Sequence, residues 1–103
     1  ESLPIYDFSN RLIIPGLVDL HLHASQYSYC GTGMDLELLD WLNTYAFPEE
    51  AKYKDINYAK KYYELFSNDL EKSGTTRAVI FTTIHVDSTL ILMDILESKK
   101  IIA

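Results

Sequence analysis

Apolar and polar residues alternate along Leu17 to His23, with Val18, Leu20 and Leu22 on one face and Asp19, His21 and His23 on the other. That period of two predicts a β-strand. Before it, Leu3 to Phe8 is a short, weakly alternating stretch, Ser9-Asn10 a turn signal, and Leu12-Ile13-Ile14 a second short strand; Pro15-Gly16 then breaks the chain. Ala24 to Gly33 is small and polar with two glycines, which predicts a loop. Asp35 is placed to cap a helix from about Leu36 to Tyr45, with Leu36, Leu39 and Leu42 as its apolar stripe and Phe47-Pro48 as its end. Asp55 or Asn57 is placed to cap a second helix, Tyr58 to Lys72. Its predicted inner face is Tyr58, Tyr62, Leu65, Phe66, Asp69 and Leu70, and Gly74 stands where a left-handed residue ends a helix. Thr75 to Thr83 is β-branched and apolar on both faces, as in a strand buried on both sides. Asp87 or Ser88 caps a third helix ending near Ser98, and Lys99 to Ala103 reads as the start of another strand.

Strands alternating with helices predict parallel β/α units, an α/β fold. Three strands cannot close a parallel barrel, which needs eight strands and about 250 residues. The chain of 103 residues starts without Met and stops on an apolar strand, so it is expected to be a segment of a longer protein.

Composition narrows the function classes. At 48% hydrophobic and 13% aromatic residues the chain is that of a folded protein. A net charge of -6 argues against a nucleic-acid or anionic-membrane partner, which needs a basic surface. No apolar run has the length of a membrane span. Cys30, a single cysteine, makes no internal disulfide, so a reducing cytoplasmic setting is expected.

The candidate chemistry lies at His21 and His23. On a strand their Cα atoms are about 6.6 Å apart and their side chains share a face. Two imidazoles can tilt inward from there onto one cation at roughly 2.0–2.1 Å each. The pair ends its strand, and active-site groups of β/α barrels gather at strand carboxyl ends. Asp19, one layer deeper, offers a supporting group. Ordinary hydrogen bonding of both rings within a core is the competing reading.

Pro15-Gly16-Leu17-Val18-Asp19-Leu20-His21-Leu22-His23 resembles the first barrel strand of the amidohydrolase superfamily. Ala24-Ser25-Gln26-Tyr27, Leu39-Asp40-Trp41-Leu42, Phe47-Pro48-Glu49-Glu50, Ser73-Gly74-Thr75-Thr76 and Thr83 to Ser88 are similar to its guanine-deaminating branch, and the likeness spans roughly Leu12 to Leu96. The resemblance implies the N-terminal portion of a metal-dependent (β/α)8 TIM barrel over residues 15–103, preceded over residues 1–14 by a strand or two of a small β-sandwich. It implies hydrolysis of guanine to xanthine and ammonia, and a homodimer. It implies a Zn²⁺ cofactor, with Fe²⁺ equally suited to imidazole and carboxylate ligands. His21 and His23 match metal ligands, and His23, Gln26 and the backbone of Ala24 and Ser25 match the purine pocket. Further ligands and the proton-shuttling Glu and Asp are expected later in a complete chain. Rival readings are an amidohydrolase acting on cytosine or a triazine, and a non-catalytic globular domain. Two histidines fall short of the three protein ligands usual in catalytic zinc sites, so the segment alone is expected to be inactive.

Other residues draw structural readings. His85, between a strand end and a helix, is expected to be a solvated or capping loop residue. Cys30 has no assigned base to make it a nucleophile. Trp41, Tyr45 and Phe47 are expected in the core rather than as a purine wall. Arg77, inside a strand, would need an acidic partner if buried.

Overall fold

The computed structural model describes residues 2–103. Strand β1 spans Leu17–His23 and is followed by a 3-10 turn at Ala24–Tyr29. A long irregular helix follows: α1 at Leu38–Trp41, a π-helical turn at Leu42–Ala46, α2 at Phe47–Ala51 and a 3-10 turn at Lys52–Lys54. Then come α3 at Ile56–Lys72, β2 at Thr75–Phe81 and α4 at Val86–Ser98. Strands β1 and β2 pair in parallel, and Ile102 continues the sheet through a parallel bridge to Arg77. Ile102 N–H donates to Thr76 O at 3.0 Å, and Ala78 N–H to Ile102 O at 2.9 Å. The predicted β/α order and the strand beginning near the chain's end are both present.

The helices pack on the sheet and on one another, with α3 against α4, β2 and the 24–29 turn. Tyr53, Ala59, Tyr63, Phe66, Leu70, Leu92 and Ile101 are buried between them. Tyrosine dominates this core, with Tyr53–Tyr63 and Tyr53–Tyr58 ring centroids 4.9 and 5.3 Å apart. The buried face of α3 is Ala59, Tyr63, Phe66, Ser67 and Leu70, one residue round from the predicted stripe. The half-buried Tyr58 and Tyr62 flank it, as amphipathic rings with a polar tip do.

The helix ends follow from local chemistry. Asp55 Oδ1 accepts from Asn57 N–H and Tyr58 N–H at 2.8 and 3.4 Å, so Asp55, not Asn57, caps α3. Gly74, at φ 81°, closes α3 with its N–H on Glu71 O. Helix α4 closes with a Schellman pair, Lys100 N–H on Glu97 O and Ile101 N–H on Leu96 O, and the buried Ile101 seals it.

Several sequence expectations are corrected. Residues 2–16 form no strand: Leu3, Ile5, Leu12 and Ile13 are exposed, and only the Ser9-Asn10 turn is present. A weakly alternating stretch needs a partner edge, and none lies beside it among the described residues. The Ala24–Gly33 loop holds the Ala24–Tyr29 3-10 turn. Asp35 caps nothing, because the helix starts at Leu38 with Glu37 at its N-cap. Pro48 does not end the helix. Phe47 N–H reaches Leu42 O, five residues back, and this wider turn relieves the clash a proline ring makes with a carbonyl in a regular helix. Strand β2 stops at Phe81, not Thr83, because Thr83 Oγ1 accepts from His85 N–H and turns the chain into α4. His85 is the N-cap of α4 in place of Asp87 or Ser88, and Ser88 Oγ donates back to His85 O. Strand β2 is not buried on both sides, since Val79 and Phe81 are about half exposed. Arg77 is exposed, so its charge needs no acidic partner.

Replacing the cap tests this reading. Asp55→Ala is expected to cost about 1 kcal/mol of stability, and Asn57→Ala a few tenths at most, as read from urea midpoints. Equal losses would mean that Asp55 is not the cap.

Candidate active site

The register of the sheet sets the site. From Asp19↔Ala78 to Leu22↔Ile80, β1 advances three residues while β2 advances two. The extra residue is a bulge, which bends a strand and re-aims side chains. It falls at Leu20-His21, and the His21 N–H donates to Asp19 Oδ1 at 3.0 Å. Asp19 therefore supports the pair through the backbone of His21.

With His21 in the bulge, its Nε2 and that of His23 lie 3.1 Å apart, with ring centroids 5.0 Å apart. Two imidazole nitrogens at 2.0–2.1 Å on one tetrahedral cation sit roughly 3.3 Å from each other. The spacing fits convergence on a cation, and it fits one ring N–H donating to the other ring's lone pair. Among the described residues no third His, Cys, Asp or Glu joins the two histidines as a ligand group.

Phe81 holds both rings. It is the register partner of His23 and stacks on that imidazole at 4.8 Å and 13°, while the His21 ring lies 5.1 Å away, tilted at 47°. Sequence reasoning missed Phe81. The only available signal was an aromatic at the end of the second strand, at the height of the first strand's terminal histidine.

The histidines open on a cavity of about 410 Å³, lined also by Gln26, Tyr27, Tyr29, Trp41 and Phe66. Of the predicted site residues, His21, His23 and Gln26 meet at this cavity, while Ala24 and Ser25 are fully buried behind it. Trp41 stands on the cavity wall rather than in the core; its Nε1–H donates to Thr32 O at 2.8 Å and its ring lies 5.7 Å from Tyr29. Phe47 is more than half exposed, so it too is no core residue. Exposed Cys30 sits at the rim of the same cavity. His85 lies instead on a second cavity of about 320 Å³ with Phe47 and Glu50, apart from the histidine pair.

The 24–29 turn is tied to the helices. Ser25 Oγ donates to Glu50 Oε1 at 2.9 Å, and the Tyr27 hydroxyl donates to Asp69. That bond raises the Tyr27 pKa and lowers that of Asp69, which Lys72 lowers further. Burial pushes the Tyr29 phenol up to about 12, helped by Glu50 and Glu49, and it pushes Tyr53 and Tyr63 up as well.

The amidohydrolase family profile matches residues 12–102. The chain is 48% identical over 86 residues to the guanine deaminase of Homo sapiens, covering 84% of this chain and 19% of that protein. It is 38% identical over 99 residues to the guanine deaminase of Dictyostelium discoideum, covering 96% and 22%. Among solved structures it superposes on guanine deaminase from C. acetobutylicum, determined with guanine bound in the active site. The TM-score is 0.92 at 56% identity, over 95% of this chain and 23% of that one. The chain thus spans about a fifth of the length of the curated relatives it matches.

The buried phenols give a pH prediction. Each is neutral in the fold to a higher pH than in the unfolded chain, where tyrosine titrates near 10.0. The fold's advantage is complete below that pH and is lost as pH rises toward about 12, the value of Tyr29. Stability is expected to fall over this interval, with a shallower fall in Tyr29→Phe; an unchanged slope in the variant would remove Tyr29 from the account.

With its profile match over nearly the whole described length and its close superposition on a solved relative, the chain belongs to the amidohydrolase family.

Proposed function

We propose that the protein of which this chain forms part hydrolyses guanine to xanthine and ammonia, and that residues 15–103 are the first β/α units of its TIM barrel. The observation that carries the proposal is the convergence of His21 and His23 at 3.1 Å beside Gln26, in a chain whose relatives are guanine deaminases. In the same reading residues 1–14 are the end of a small β-sandwich segment beside the barrel.

In this reading His21 and His23, whose Nε2 atoms converge, would hold a divalent cation, zinc or iron(II). A bound zinc would supply the nucleophile's acidity, bringing the pKa of water down to about 7. Phe81 stacks on His23 and restrains both rings, so they converge without a large ordering cost on binding. Asp19 fixes the backbone of His21. Gln26 presents an amide donor and an acceptor to the mixed hydrogen-bonding edge of the purine. Ala24 and Ser25 contribute the backbone beside it, and Trp41 and Phe66 give the ring apolar walls. Water adds its oxygen at the amino-bearing carbon, and ammonia leaves with that carbon's nitrogen.

On the family resemblance the proposal extends to a homodimer in the cytoplasm. No helix among the described residues is long and apolar enough to cross a membrane.

The test is a deamination assay of the complete protein on guanine, with cytosine and an aminotriazine as comparison substrates. Xanthine and ammonia are expected in equal amounts from guanine. Gln26→Ala is expected to lose about 1–3 kcal/mol of transition-state binding, roughly 5- to 150-fold in kcat/KM, at unchanged metal content. Preference for another ring, or unaltered kinetics in the variant, would contradict the proposal.

A further inference from the structure

The turn that carries Gln26 is short and needs outside support. Ala24–Tyr29 is a six-residue 3-10 segment without a side-chain cap, and such turns have poor internal hydrogen-bond geometry. Gln26 lies between its two side-chain anchors, Ser25 on Glu50 and Tyr27 on Asp69, whose partners stand 25 and 42 residues away.

The anchors differ in strength. Ser25 is fully buried, and its hydroxyl, deprived of Glu50, would lose its acceptor out of reach of bulk water. No salt bridge among the described residues engages Glu50, whereas its neighbour Glu49 pairs with Lys52. Asp69 is exposed and divides its carboxylate between Tyr27 and Lys72. An exposed, shared bond restrains little.

We infer that Glu50 is a positioning residue for substrate recognition. Through Ser25 it fixes the 24–29 turn and so aims the Gln26 amide into the cavity, while Asp69, through Tyr27, is a weaker second anchor. The inference rests on the proposed role of Gln26 with guanine. It also accounts for the helix geometry: the π-helical turn carries the helix through Pro48 to deliver Glu50 to Ser25.

The experiment uses the complete, metal-loaded protein, with guanine kinetics, metal content and amide hydrogen exchange of residues 24–29. Glu50→Ala is expected to raise KM about tenfold, with kcat within about threefold and metal content unchanged. Glu50→Gln keeps an acceptor oxygen and is expected to restore KM to within about threefold and to keep the turn's protection. In a Gln26→Ala background, Glu50→Ala is expected to add little, because both changes remove the same contact. Asp69→Asn should move KM less than Glu50→Ala does. If Glu50→Ala does not fold, Ser25→Ala removes the donor instead and carries the same expectations. Wild-type KM in Glu50→Ala, equal losses in Glu50→Ala and Glu50→Gln, or full additivity with Gln26→Ala would overturn the inference. If the wild-type protein ignores guanine, the substrate assignment fails; hydrogen exchange still decides the anchor, since unchanged protection in Glu50→Ala would overturn that part on its own.

Discussion

Two imidazole nitrogens 3.1 Å apart, projecting from one strand, set the terms for the rest of the structure. Such proximity is unfavourable unless a proton or a cation lies between the lone pairs. The backbone and its neighbours enforce it nonetheless. A bulge re-aims the end of β1, Asp19 takes up the His21 amide, and Phe81 from the parallel strand backs both rings. Parallel pairing matters here, because it brings the carboxyl ends of β1 and β2 to the same edge and sets Phe81 level with His23.

The helical layer extends that constraint outward. Its tyrosine-rich core fills the space behind the 24–29 turn, and carboxylates from two helices reach into the turn from either side. The cavity is therefore lined by one strand end, one short turn, the irregular helix and Phe66 of α3, and side chains far apart in sequence determine its shape. Glycine serves the same end at the sheet's entrance: a Cβ on Gly16 would lie 2.3 Å from the Thr76 side chain, so only glycine lets the chain enter β1 this close to β2.

Legibility in the sequence tracked the range of the interactions. Local chemistry was readable: the period-two alternation delimits β1, Asp55 caps α3, Gly74 ends it, and a parallel bridge at Ile102 falls within the stretch expected to start a strand. That His21 and His23 can converge was readable from their spacing on a strand; the bulge, the Asp19 contact and Phe81 that bring them together were not. Features that depend on partners were not readable. Leu12-Ile13-Ile14 has strand composition but no edge to pair with among the described residues. Pro48 is a breaker by propensity, yet the π-helical turn at Leu42–Ala46 accommodates it. The inner face of α3 is set by where Tyr63 and Phe66 meet α4 and the turn, so counting apolar residues placed it one position off. Phe81 and Glu50 carry no local mark of their roles, because each acts on a residue more than twenty positions away.

Metal analysis of the purified complete protein, comparing the wild type with His21→Ala and His23→Ala, decides whether the two rings hold a cation. The account predicts about one tightly held divalent ion per chain in the wild type and its loss from both variants, with the fold retained by circular dichroism. A wild type without metal, or variants that keep it, would mean that the two rings merely share a proton.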